Sequence, residues 1–311
     1  MADLFSGMGG WQEGLRLAGG GEALGVELSP APCATAGAAG HHVLQGDVSD
    51  LDPRSWWGVE GLVASPPCQA FSLAGMGEGR GLMADLARGV RAAFAGRRVS
   101  IHQHDSRLVV EPARWVHALR PRWVALEQVP PVLPLWKLYV HELRAMGYRA
   151  WAGTLNVADY GVPQTRVRAL LVATRDLLRL PEPTHAHHEL PAGLWGPARA
   201  RWVSMADALG WTRQVVEGLR VNTRGDRGPD PAGGNEFSVD GPSWAITGRT
   251  RSWTFASTTL EPWQGLVLQG FPPDYPLQGG RTVQWRQIGN AFPPPMAAAL
   301  LRALITEGEA A

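Results

Sequence analysis

The chain has 311 residues, 45% of them hydrophobic, enough for one large domain and a smaller one, each burying its own core. No apolar run approaches the roughly 18 residues of a membrane span, and the N-terminus lacks the basic start and apolar stretch of a secretion signal, so the cytoplasm is the expected compartment. Two cysteines, Cys33 and Cys68, are too few for a disulfide framework and have no metal-ligand spacing, and a formal net charge of +1 excludes a uniformly acidic or basic protein.

From Ala2 to about Thr174 short apolar runs alternate with helical stretches, the pattern of a doubly wound α/β sheet. Strands are expected from Asp3 to Phe5, Ala23 to Glu27, His42 to Gln45, Gly61 to Ala64, Trp123 to Glu127, Ala150 to Asn156 and Ala169 to Ala173. Helices are expected from Trp11 to Ala18, Ala31 to Ala39, Leu108 to Leu119 and Leu135 to Met146. After Leu180 the texture changes to Pro, Gly, Arg and Trp, and a boundary is placed there, giving units 1–182, 183–274 and a returning segment 275–311. His185, His187 and His188 open the second unit; without a distant fourth ligand they read as a solvated linker rather than a metal site. Prolines 293 to 295 followed by Met296 to Ile305 read as a helix with prolines at its start.

Only Lys137 is a lysine, and Arg88, Arg91, Arg97, Arg98, Arg107, Arg114, Arg120 and Arg122 share a stretch in which Asp105 and Glu111 are the only acids. Such a stripe suits either a phosphate backbone or a solvated face.

Three strand ends carry groups that would line a nucleoside pocket. Asp3-Leu-Phe5-Ser-Gly7-Met-Gly9-Gly10 is a strand running into a glycine loop and a helix, the geometry that brings backbone close to a nucleotide-like ligand, although the third glycine of a dinucleotide fingerprint is missing. Glu27, ending the next strand, is placed to accept from ribose hydroxyls, and Asp47 ends the third. Ala64-Ser-Pro66-Pro67-Cys68-Gln69 follows the fourth strand, and two prolines in succession give Cys68 the stiff mounting of a nucleophile. Glu127 should project from the same sheet edge. Gln164, Arg166 and Arg168 alternate on one expected strand, which would put both arginines on one face.

In order, DLFSGMGG, Glu27, Asp47, PPCQ, the DSRL of Asp105 to Leu108, Glu127, YGVPQTRVR and RQIGNAFPPPMA make this chain resemble the DNA cytosine-5 methyltransferase family through nearly all of its length outside about 188–253. The resemblance implies a Rossmann-like S-adenosylmethionine-dependent methyltransferase sheet with a smaller target-recognition domain at 183–274. It further implies S-adenosyl-L-methionine held by Asp3, Phe5, Gly7, Gly9, Gly10, Glu27, Asp47, Pro66, Leu108 and Asn290. Cys68 is implied as the nucleophile adding to cytosine C6, Glu127 as the acid at N3, and Arg168 with Arg166 beside it at O2. Double-stranded DNA is the implied partner, its contacts expected at Gln69, Ser72, Arg97, Arg98, Gln164, Arg249 and Arg251, with Arg249 and Arg251 facing either bases or phosphates. A monomer is expected, and a restriction endonuclease is a conceivable companion in the host. The target base has to leave the stack to reach such a pocket.

Several departures stand out. Gln128 replaces the usual Asn after Glu127, Gln264 stands where a glutamate is usual, and only two residues precede Asp3, so that either the first strand is short or the true start lies upstream. The stretch from Ser72 to Asp105 is longer than in compact members and is expected to be an Arg-rich loop closing over the base. Two rivals remain: a tRNA methyltransferase of the same family, which would carry an added cysteine after Cys68 that this chain lacks, and a silent DNA-binding module, which would not need Cys68, Glu127, Arg166 and Arg168 together.

Overall fold

The computed structural model describes residues 1–67, 79–97, 106–193, 196–211, 220–222, 236–255 and 258–305. Cys68, Gln69, Ser72, Arg98 and Asp105 therefore lie outside the described residues.

Strands β1 (Ala2–Leu4), β2 (Leu24–Glu27), β3 (His42–Gln45), β4 (Gly61–Ala64), β5 (Trp123–Gln128), β6 (Arg149–Asn156) and β8 (Val167–Thr174) form one seven-stranded sheet in the order β3-β2-β1-β4-β5-β8-β6. The five strands from β3 to β5 run parallel, and β8 lies antiparallel between β5 and β6. The chain order reverses between β1 and β4, the switch point at which open α/β sheets bind ligands beyond their strand ends. Period-two alternation sorts the side chains to two faces. Leu62, Ala64, Val124, Leu126, Ala169 and Leu171 pack beneath α4 (Glu111–Leu119) and α5 (Leu133–Ala145), while Val63, Ala125, Leu170 and Val172 pack against α1 (Gly10–Leu17) and the last helix, α9 (Pro294–Ile305). As expected, β1 is short.

Part of the Arg-rich stretch is helix rather than loop; its residues 72–78 and 98–105 lie outside the described residues. In α3 (Gly79–Phe94), Leu86, Val90, Ala93 and Phe94 recur at helical spacing and enter the main core. Three arginines of the stripe are paired: Arg88 bonds Asp85, Arg122 pairs with Glu60 and Asp176, and Arg114 bonds Glu111 and the carbonyls of Val48 and Leu51. Arg97 is exposed where α3 ends.

Beyond residue 183 the elements are short. Strands Arg220–Asn222, Glu236–Ser238, Thr254–Phe255 and Thr258–Thr259 form a small sheet, and Ser243–Trp244 pairs with β7 (Gln164–Thr165). Helices α7 (Pro262–Gln269) and α8 (Arg281–Asn290) follow. Val221, Phe237, Ile246, Trp253, Leu266, Trp285 and Ile288 share one core, so residues on both sides of position 274 pack together, and the chain returns to the first core only from Phe292 onward. Gln264 has a structural role: its side chain accepts from the Glu261 backbone N–H at 2.8 Å, completing a capping box at the start of α7.

Candidate active site

Glu127, one residue before the end of β5, is buried to 7% exposure, and its Oε1 pairs with Arg168 Nε at 2.9 Å. Both side chains are nearly enclosed, so the pair fixes where the carboxyl points. Register places Leu126 beside Ala64, so the Ser65-Pro66-Pro67 turn leaves β4 at the same edge. Two side chains hold that turn. Gln128 donates its amide to the Pro66 carbonyl while its Oε1 accepts from Val129 N, and from the other side Trp11 Nε1 donates to Ser65 Oγ at 3.0 Å. The extra methylene of Gln128, compared with Asn, thus still ties the mounting of Cys68 to the strand that carries Glu127. Pro66 itself is buried.

Arg166 has partners in the smaller core. Its strand is interrupted: β7 ends at Thr165 and β8 begins at Val167. Arg166 is buried and donates Nη1 to Ile246 O at 2.7 Å and Nη2 to Gly289 O at 2.9 Å. It fastens the smaller core to the sheet. Gln164, expected on DNA, is fully buried for the same reason: it donates to Leu268 O at 2.8 Å and to the Gln269 side chain, and its Oε1 accepts from Ile246 N at 3.0 Å.

At the neighbouring strand ends the Glu27 carboxylate receives Gly7 N–H at 3.0 Å and Ser29 N–H at 2.7 Å. Gly7 has φ +56 with open space where a Cβ would stand, a cradle for a ligand against backbone. Gly9 and Gly10 are small for other reasons. A Cβ on Gly9 would lie 2.6 Å from the His41 ring, and one on Gly10 would lie 2.3 Å from the Phe292 carbonyl oxygen. Both glycines allow close packing of the loop, and Gly9 also takes a left-handed φ of +96. Phe5 takes a left-handed φ of 60, which turns the chain out of β1. Asp47 follows β3, next to β2, and accepts from Ser49 N at 2.8 Å. Asp3 pairs in register with Val63, on the α1 side, and is wholly buried with neither carboxyl oxygen hydrogen-bonded. Burial, reinforced by Glu27, pushes its carboxyl well above the usual carboxylate range. Leu108 is half-buried in a 3-10 turn, Ser106–Val110, and Asn290 is exposed at the end of α8.

Three contributors to this edge escaped sequence reasoning: Trp11, Ser29 and Leu28. Leu28 stands 61% exposed directly after Glu27, an apolar surface at the pocket rim whose only sequence signal is its place at a strand end.

This chain belongs to the C-5 cytosine-specific DNA methylase family, whose model matches residues 1–194 and 247–306. It is 28% identical to the Type II methyltransferase M1.HphI of Haemophilus parahaemolyticus, covering 97% of this chain and 86% of that one. It is 27% identical to M.NgoMIV of Neisseria gonorrhoeae, covering 97% and 96%, and 30% identical to M.NaeI of Lentzea aerocolonigenes, covering 99% and 76%. Its fold matches the S. pombe Dnmt2 methyltransferase with a TM-score of 0.66 at 14% identity, over 99% of this chain and 98% of that one. The chain is thus a DNA cytosine-5 methyltransferase, and the covalent cysteine adduct general to the family is its route. Among the described residues no helix is long and apolar enough to cross a membrane.

Proposed function

We propose that methyl transfer to a flipped cytosine of double-stranded DNA is carried by Cys68, Glu127 and Arg168, with Gln128 and Trp11 as positioning residues. The observation that carries this reading is the enclosed Glu127–Arg168 pair at 2.9 Å, one strand from the braced Pro66 turn. Cytosine C5 is too weak a nucleophile to be methylated unaided. The Cys68 thiolate adds to C6, and the electron pair moves into the ring toward C5 and N3. Glu127 would hydrogen-bond N3 and deliver the proton that offsets that charge, while Arg168 holds Glu127 and would meet O2. Once C5 has taken the methyl group that a bound S-adenosylmethionine would supply, a base would remove the C5 proton. Those electrons would re-form the C5–C6 double bond as Cys68 leaves as thiolate, and the N3 proton would return to Glu127.

The cofactor assignment rests on fit. The open left-handed Gly7, the bracketed Glu27, Asp47 at the next strand end and the bare Leu28 side chain suit a nucleoside with a charged tail. When bound, S-adenosylmethionine supplies an electrophilic methyl group. Glu27 would accept from its ribose, Asp47 would face the adenine, Leu28 would cover the ring, and Gly7 would let the tail approach the backbone. Residues 183–274 are read as the target-recognition region; the family model's unmatched stretch, 195–246, falls inside it, as expected of a segment that varies with the recognised sequence. The Type II relatives favour a cognate restriction endonuclease as a functional companion.

The test is a duplex carrying 5-fluorocytosine at the target. Fluorine cannot leave as a cation, so the wild type should methylate, stop, and remain on the DNA through denaturation; Cys68→Ser should form no adduct. Normal turnover by Cys68→Ser would overturn the assignment, and methyl transfer to tRNA but not DNA would overturn the substrate.

A further inference from the structure

We infer that Arg249, Arg251 and Arg286 form a phosphodiester clamp on the seam between α8 and the 3-10 turn Thr250–Ser252, gripping the DNA backbone rather than reading bases. The inference rests on the DNA reading above and extends it to a site outside the catalytic edge.

Thr282, Arg286 and Asn290 recur at every fourth position of α8, and all three are exposed, whereas Trp285, Ile288 and Gly289 on its other side are buried. The turn lies directly on this helix. A Cβ on Gly289 would stand 2.5 Å from the Thr247 carbonyl carbon, and one on Gly248 would stand 3.6 Å from the Arg286 Cα. Arg251 donates Nη1 to Thr282 Oγ1 at 2.9 Å, which fixes its guanidinium along the exposed helix face one turn before Arg286. Arg249 is exposed on the same turn, next to Gly248.

Three guanidinium groups on touching backbones repel one another unless an anion joins them. Arg281, one turn earlier on α8, already has its carboxylate in Glu261. Among the described residues Arg249, Arg251 and Arg286 have none. The mounting is rigid as well. Arg166 binds the carbonyls of Ile246 and Gly289 at once, three residues before Arg249 and three after Arg286, and two residues further along the chain Arg168 holds Glu127. A basic cluster fixed to the strand that carries the catalytic arginine suits the repeating anion of the strand bearing the target base. Guanidinium forks match phosphate oxygens and carry no sequence information when they bind them.

The test uses the full chain and measures binding to a duplex containing the target sequence and to one lacking it, across a salt series. Arg286→Gln and Arg249→Gln should each weaken both complexes alike and reduce the slope of log K against log salt by about one. Arg286→Lys should keep the wild-type slope. Unfolding midpoints should match the wild type, since these side chains are exposed. Slopes unchanged in both Gln variants would overturn the clamp while leaving the DNA reading intact, as would a loss confined to the target sequence, which would make these arginines base readers. A wild type that binds no duplex would overturn both.

Discussion

The edge that carries Glu127 and Arg168 and the seam that carries Gln164 and Arg166 are consecutive in the chain, yet they use the same kinds of side chain oppositely. At the edge a guanidinium meets a carboxylate and leaves the pair at the mouth of a pocket. At the seam a guanidinium and an amide meet backbone carbonyls and are buried. The difference arises at Arg166, where the strand changes partner: β7 pairs with Ser243–Trp244 and β8 with β5 and β6. The seam sets where the smaller core stands relative to the sheet; the edge carries the chemistry.

Substitutions at the two arginines should separate these roles, and they carry the largest expected effects on methyl transfer. Glu127→Gln and Arg168→Ala should each lower kcat by about 10²-fold or more, the scale of a lost proton donor or its orienting charge, with little change in the unfolding midpoint. Arg166→Ala should instead lower stability by roughly 2–4 kcal/mol, because the carbonyls of Ile246 and Gly289 stay buried without their donor. Single-turnover rates and denaturant unfolding on the same preparations check this. A fully stable Arg166→Ala with no turnover would return Arg166 to the catalytic site.

A smaller effect is expected one residue beyond Glu127. Gln128→Ala removes the brace on Pro66 without touching the reacting groups, so kcat should fall by roughly tenfold, about 1.4 kcal/mol in the scale of one hydrogen bond, with cofactor affinity unchanged. Gln128→Asn should recover part of the loss if the shorter amide still reaches Pro66. An equal fall in cofactor affinity would mean that the brace supports the whole sheet edge instead.

The glycines of the first loop give a comparison within one motif. Gly7→Ala meets open space but holds a left-handed φ, so its cost in stability should be about 1 kcal/mol, with cofactor affinity falling further. Gly10→Ala drives a methyl group into the Phe292 carbonyl and should destabilise by roughly 1–3 kcal/mol, with no preferential loss of cofactor affinity. Isothermal titration beside thermal unfolding separates the two; equal affinity losses would put both glycines against the ligand.

How much of this was legible follows from the range of each cause. The strands and most helices of the first unit were readable because their apolar periods are local, and Glu27, Glu127 and Arg168 because strand ends of an α/β sheet share one edge. Helix α3 was hidden: arginines, glycines and alanines fill the positions between Leu86, Val90 and Phe94, so composition suggested a loop. Arg166 and Gln164 were misread because period-two alternation assumes one continuous strand, and the break depends on a partner, Ser243–Trp244, some eighty residues away. The close packing of His41 against Gly9 and of Phe292 against Gly10 was not legible, because the motif alone does not reveal either neighbour.

Asp3 tests the same limit with the smallest expected effect on catalysis. As the first letter of the glycine-loop motif it looked like a cofactor ligand, but the register with Val63 turns it under α1, where it is fully buried and without hydrogen bonds. Burial first, then Glu27, raises its carboxyl pKa in the folded protein above the unfolded value, about 3.8. The native state therefore holds the proton more tightly than the unfolded chain, so folding stability from this group is highest below pH 3.8 and falls as pH rises through the window above it, toward the folded pKa. Asp3→Asn removes that proton linkage while keeping the shape. The variant should be more stable than the wild type at neutral pH, the gap should narrow as pH is lowered toward 4, and cofactor affinity and kcat should stay within about twofold, since a fully buried group offers no surface to a ligand. Unfolding midpoints from pH 4 to 8, with cofactor titration at pH 7, decide the matter: a pH-independent stability difference would remove the buried proton, and a tenfold weaker cofactor would put Asp3 back in the pocket.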